Sequence, residues 1–168
     1  MPSAAVYRFR RVLSDPPEAP RWPTGFSIVG FRPTRHAPFV HGMLEEGYRG
    51  GGGRVSGLAD WWSQLSTDAE YHPDLVFLVA DRSAAPVAAA ICWTSAYVKD
   101  LVVARDARRQ GLASCLLRHV FQTFHARGAN AVELKVEATN DAALALYRSL
   151  GMVRVETLST GTEGRDSA

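Results

Sequence analysis

The chain reads as a single α/β domain, and three features predict it. Segments with strand character alternate with segments of helical periodicity from residue 26 to residue 158. A length of 168 residues with 46% apolar content suits one domain around one core. No internal repeat divides the sequence. The folded domain is expected over residues 26–158, preceded by a strand and proline-rich connector (1–25). A polar tail, 159–168, is expected to fray.

Residues 7–12 alternate weakly and predict an edge strand. Residues 14–23 are proline-rich; proline fixes φ and removes donors, so an extended connector follows. Residues 26–31 read as a strand. A helix starts at Pro33, with Phe39, Val40, Met43 and Leu44 as its apolar positions. The run Arg49-Gly50-Gly51-Gly52-Gly53-Arg54 has no strong strand before it and no Lys-Ser/Thr after it, which makes it a flexible connector and not a phosphate loop. Residues 58–65 form a second helix carrying Trp61 and Trp62. Residues 75–80 and 87–93 pair as a hairpin, and 97–103 is the next strand. The helix expected over 110–127 aligns Leu112, Leu116, Leu117, Val120, Phe121 and Phe124 on one stripe. Residues 131–136 alternate apolar and polar. Asn140-Asp141 offers an N-cap for a helix over 142–150, Gly151 is its stop, and 153–158 is a last strand.

A net charge of +2 gives no electrostatic case for nucleic acid or a membrane surface as partner. Nearly all basic residues are arginine; Lys99 and Lys135 are the only lysines. No run is long or apolar enough to span a bilayer, and the N-terminus lacks an apolar h-region, so a cytoplasmic protein is expected. Two cysteines make no disulfide framework, and Cys92 and Cys115 are expected to be reduced, buried thiols. His119 and His125 are six apart, the wrong spacing for a shared helical ligand face. His36, His41 and His72 show no metal pattern, so all five are expected at the surface and no metal is expected.

The most informative segment is the passage from strand 97–103 through Arg108-Arg109-Gln110-Gly111-Leu112-Ala113 into a helix. A helix N-terminus presents free N–H groups and partial positive charge, and so attracts anions. Gly111 and Ala113 keep bulk away from the backbone, and Arg108 and Arg109 add formal charge. The element suits a pyrophosphate. A Walker loop would need Lys-Ser/Thr after its second glycine, and a Rossmann turn three spaced glycines; neither is present.

The pattern Arg108-x-x-Gly111-x-Ala113 after a strand resembles the acyl-CoA-binding signature of the GNAT superfamily of N-acetyltransferases. The string Asn140-Asp141-Ala142-Ala143 … Leu146-Tyr147 … Leu150-Gly151-Met152 resembles that family's second signature, with Met152 in place of the usual Phe. Both occur in the family's order, one helix and one strand apart. The resemblance covers about residues 26–158 and is weakest before residue 75.

The resemblance implies a mixed, mostly antiparallel sheet flanked by helices, with the strands ending at Val103 and Val136 splayed apart at an acyl-CoA cleft. It implies transfer of an acetyl group from acetyl-CoA to a primary amine by direct attack in a ternary complex. The backbone of Leu101, Val102 and Val103 would pair with the pantetheine amides as an added strand, and a backbone N–H there would polarise the thioester carbonyl. Arg108, Arg109, Gln110, Gly111, Leu112, Ala113 and Ser114 would hold the pyrophosphate. Asn140, Ala143 and Tyr147 would contact the cofactor arm. Tyr147 stands where the family places the general acid for the departing thiolate, and Asp100 or Glu137 would serve as base.

The acceptor pocket would draw on Tyr48, Trp61, Trp62 and Tyr71, with Asp60, Asp68, Glu70 and Asp74 nearby, a set suited to a small amine. A protein or peptide amine, or a catalytically silent acyl-CoA sensor, are the alternatives. The family usually ends in two antiparallel strands after the last helix, whereas this chain has room for one. The pocket's C-terminal wall would then be short, or supplied by a second subunit in a homodimer.

Overall fold

The computed structural model describes residues 4–51 and 53–159. In chain order these form β1 (Ala5–Val12), β2 (Ser27–Val29), α1 (Pro33–Tyr48), α2 (Leu58–Ser66), β3 (Val76–Ala80), β4 (Pro86–Trp93), β5 (Tyr97–Val103), α3 (Leu112–Ala126), β6 (Ala131–Glu137), α4 (Asp141–Ser149) and β7 (Val153–Ser159). Single 3-10 turns lie at Pro73–Leu75 and Arg105–Ala107. The expected tail falls almost wholly outside the described residues, as does Gly52 of the glycine run.

One sheet carries the strands in the order β2-β3-β4-β5-β6-β1-β7. Every neighbouring pair is antiparallel except β5 and β6, which run parallel. The sheet is thus mixed and mostly antiparallel, as expected. Side chains of α1 and α2 pack on one face, against Leu78, Ala89, Ile91 and Val102. Those of α3 and α4 pack on the other, against Phe77, Ala88, Ala90, Val98 and Leu134. In β4 the run Ala88-Ala89-Ala90 is at most 1% exposed, so along this run both helical layers close on methyl groups.

The largest departure from the sequence reading is β1. A weak apolar-polar alternation predicted an edge strand, but β1 lies inside the sheet, antiparallel to β6 on one side and to β7 on the other. Phe9 pairs with Leu134 and Arg154, and its ring is fully buried. The alternation is weak because Arg8 and Arg10 point to a face where Glu133 and Glu156 receive them. An internal strand with one polar face looks like an edge strand in sequence. β1 thus lies between β6 and β7, beside the single strand that follows α4.

After β1 the proline-rich segment runs along α3. Gln122 Nε2 donates to the Pro17 carbonyl (3.5 Å), Arg118 pairs with Glu18 (3.0 Å), and the Cys115 thiol donates to the Arg21 carbonyl (3.2 Å). Both cysteines are free and buried. His36 and His41 overturn the expectation of surface histidines, being 7% and 6% exposed. His36 Nδ1 accepts from the Arg32 N–H (2.9 Å), and His41 Nε2 lies 2.7 Å from the Ser56 carbonyl. Local polar partners, unreadable from spacing, let both be buried. No helix among the described residues is long and apolar enough to cross a membrane.

Candidate active site

The parallel pairing of β5 with β6 consists of Tyr97↔Glu133 and Val98↔Leu134, and there it stops. Beyond it the strands separate around a cleft of about 530 Å3, walled by Val98–Val102 territory of β5, residues 134–137 of β6, and Thr139, Asn140 and Tyr147. The C-terminal end of α1 closes one side with Leu44, Gly47 and Tyr48. A Cβ on Gly47 would meet Val102 Cγ2 at 3.3 Å, so glycine is what lets α1 sit this close to β5.

A β-bulge shapes the same wall. Ile91 faces Asp100 and Cys92 faces Val98, which leaves Lys99 as the extra residue of β5. The bulge keeps Leu101 with the α3 face and turns Asp100 toward α1. Asp100 is 8% exposed, and both its oxygens are engaged: Tyr48 Oη donates to Oδ1 (2.8 Å) and Lys99 Nζ to Oδ2 (2.8 Å). Burial, then the Asp100 charge, pushes the Tyr48 phenol well above its ordinary value, so it remains a donor. Asp100→Ala is expected to cost about 1–3 kcal/mol in urea unfolding, because the half-buried Tyr48 phenol loses its acceptor. Tyr48→Phe, which keeps the ring, should cost less, about 1 kcal/mol.

Tyr147 is placed from both ends of α4. Asn140 caps the helix, its Oδ1 accepting from the Ala143 N–H (3.2 Å). At the other end Gly151 takes φ 80°, which allows the Met152 N–H to bond back to the Tyr147 carbonyl (3.0 Å). The Tyr147 ring packs on Phe9 at 6.2 Å between centroids and is 8% exposed. Its hydroxyl has no hydrogen-bond partner among the described residues, and the residue lines the cleft. Burial pushes its pKa up to about 12.

The Arg/Gly turn forms a hollow of about 300 Å3 beyond the end of β5, lined by Val103, Arg108, Arg109, Gly111, Leu112, Ala113 and Ser114. Arg109 and Gly111 take φ 62° and 78°, so α3 starts at Leu112 and not at Gln110 as the sequence suggested. The first bond into the helix is from the Cys115 N–H to the Gly111 carbonyl (3.1 Å), so the N–H groups of Leu112, Ala113 and Ser114 precede the helical ladder. Arg108 folds back, its Nε donating to the Val103 carbonyl (3.1 Å).

The structure brings Leu101, Val102, Asp100, Glu137, Asn140, Tyr147 and Tyr48 to one cleft. It does not bring Trp61, Trp62 or Tyr71 there. Trp61 is 5% exposed and packs against His41, while Trp62 makes a tilted contact with Phe31 and an edge-on contact with Tyr71 and lines a separate apolar groove. The Ala143 N–H is occupied by the Asn140 cap. Sequence reasoning missed Gly47, Thr139, Lys99 and Lys135 as cleft residues. The signal for the last two was available, since they are the only lysines.

The family model described as the acetyltransferase (GNAT) family matches residues 38–152, and the chain belongs to that family. Among curated relatives, ribosomal protein bS18-alanine N-acetyltransferase of Salmonella typhimurium is 33% identical over 93 residues, covering 54% of this chain and 63% of that protein. Among solved structures, a GCN5-related N-acetyltransferase from Sphaerobacter thermophilus has a TM-score of 0.82 at 26% identity, covering 94% of this chain and 50% of that one. The ribosomal-protein-S18-alanine N-acetyltransferase from Escherichia coli has a TM-score of 0.61 at 28% identity, covering 75% of this chain and 76% of that one. The chain thus spans less than two thirds of the first relative and half of the Sphaerobacter chain.

Proposed function

We propose that this chain transfers the acetyl group of acetyl-CoA to a primary amine, and that the acceptor amine belongs to a protein or peptide. The observation that carries the transfer is the release of β5 from β6 after Val98, with the anion-binding turn at the far end of β5. The freed edge at Leu101–Val103 would take the pantetheine amides as an added strand. The N–H groups of Leu112, Ala113 and Ser114, with Arg108, Arg109 and Gln110, would hold the pyrophosphate. An N–H on β5 would stabilise charge on the thioester oxygen, and Tyr147 would protonate the departing sulfur.

Base chemistry falls to Glu137 or a water relay in preference to Asp100, whose two oxygens are already taken. The named relatives act on an alanine amine of a ribosomal protein, which favours a protein acceptor here. A small cationic amine has less support, since only Tyr48 of the aromatic set reaches the cleft and Lys99 balances Asp100.

Calorimetry and thiol release test the reading together. Gly111→Trp puts bulk into open space over the turn at a residue with φ 78° and is expected to abolish measurable CoA binding. Charge reversal at Arg108 and Arg109 should weaken binding at least tenfold. Unchanged affinity in both variants would overturn the cofactor assignment. Tight CoA binding with no thiol release against a panel of N-terminal peptides and amines would favour a silent acyl-CoA sensor.

A further inference from the structure

Two charges that line the cleft stand without partners, Lys135 and Glu137 on β6. Val132, Leu134 and Val136 are buried in the core that α3 and α4 share, so strand alternation turns Glu133, Lys135 and Glu137 to the opposite face, the side of α1 and α2. Those two helices pack over β3, β4 and β5; no residue of β6, β1 or β7 belongs to the core beneath them. On this open floor Glu133 binds Arg8 (3.0 Å) and Arg10 (3.1 Å), and Glu156 binds Arg8 (2.8 Å). On the other wall of the cleft, Lys99 is held by Asp100 (2.8 Å) and lies 5.9 Å from the centre of the Trp93 ring. Among the described residues Lys135 has no carboxylate within ion-pair distance, and Glu137 has no cation.

The placement of Lys135 is unfavourable for the fold alone. It stands directly opposite Arg8 in the β6–β1 ladder, and like charges in that arrangement repel. Arg8 turns its two terminal nitrogens to glutamates, which leaves Lys135 as the cation open to a ligand. The cofactor geometry proposed above assigns the acceptor to this same face. The pyrophosphate turn opens α3, and α3 packs on the other face, so the cofactor enters from the α3 side and the amine from the α1 side. Glu137 and Lys135 are two residues apart on one face, about 7 Å along the strand. An extended peptide with its α-amine at Glu137 carries its second and third residues over that distance.

We propose that the acceptor is a peptide or protein N-terminus with an aspartate or glutamate at its second or third residue, and that Lys135 reads this acid. The proposal rests on the acetyl-transfer reading above. Glu137 meets the α-ammonium and Lys135 the side-chain carboxylate, so one ligand answers both free charges of the cleft. Lys99, already neutralised by Asp100, does not compete for the acid. A basic residue at the same positions meets Lys135 and is repelled.

The test follows thiol release from acetyl-CoA by the full chain with matched peptides carrying Asp, Asn or Lys at the second or third residue. The expected order is Asp over Asn over Lys, with about two- to fivefold between Asp and Asn, expressed in KM and not in kcat. The gap should close as salt is raised, because an exposed pair is screened. Lys135→Arg should keep the order, Lys135→Ala should level it, and Lys135→Glu should invert it. A variant that merely disturbs the fold lowers all rates and does not reverse an order. Rates indifferent to the second and third residues, or an order that survives Lys135→Glu, would overturn the proposal and leave acetyl transfer standing. Turnover of free amino acids or small amines without turnover of peptides would do the same. CoA binding with no thiol release from any acceptor, or no CoA binding, would overturn both.

Discussion

Replacing Tyr147 by Phe is expected to lower kcat by about 10²–10⁴-fold while CoA affinity stays within a few-fold. Phe keeps the packing on Phe9 and the buried position beside the cleft, and removes only the hydroxyl. The loss should shrink with an activated acyl donor, whose leaving group needs less protonation. Because burial holds the phenol near pKa 12, it remains a proton donor throughout the range where a thiol of pKa about 8.5 ionises. The kcat profile of the native chain should therefore show no loss of this donor below about pH 11. The sign for stability follows from the same shift. An unfolded tyrosine ionises near pH 10 and the folded one near 12, so the contribution is full below about pH 10 and is lost as pH rises toward 12. Melting temperature against pH checks it, with Tyr147→Phe as the reference.

Sequence and structure agree best where local rules decide the outcome. The stripe on α3, the Asn140 cap and the Gly151 stop each depend on residues a few positions apart, and each was legible. The cleft itself was legible through two signatures that lie at its two ends. Features that depend on distant pairing were not. Nothing local marks β1 as internal, because its partners are residues about 120 or more positions away. The bulge at Lys99 is likewise set by the β4 register, and without it Asp100 reads as a free carboxylate when it is doubly bonded. The expectation for the tryptophans rests on the resembled family's use of its first two helices for the acceptor pocket, and membership of a short helix does not say which of its faces meets the cleft.

Phe9→Ala is expected to be the most destabilising single change considered, at about 3–5 kcal/mol. The ring is fully buried in an internal strand, against Tyr7 and Tyr147, and backbone pairing on both sides leaves little room to collapse. In a domain of this size that loss lowers the melting temperature by roughly 6–20 °C. It should also lower kcat in the surviving folded fraction, since Tyr147 loses the surface that fixes its ring. Leu58→Ala, at an exposed position of α2, is the comparison and should shift melting by no more than a degree or two. A Phe9→Ala protein that melts like the native chain would mean that β1 is dispensable.

The position of β1 also sets a timetable during synthesis. Residues 27–103 can assemble β2 to β5 with α1 and α2 as they emerge, since each strand pairs with its immediate predecessor. β1 has no such neighbour: both its partners lie between Ala131 and Ser159. At about 5–20 residues per second, β1 waits roughly 6–24 s for β6 and longer for β7. Throughout that interval Phe9 and Tyr7 stay without their sheet, a natural ligand for a holdase, and a chain whose synthesis stops before Ala131 leaves β1 unpaired.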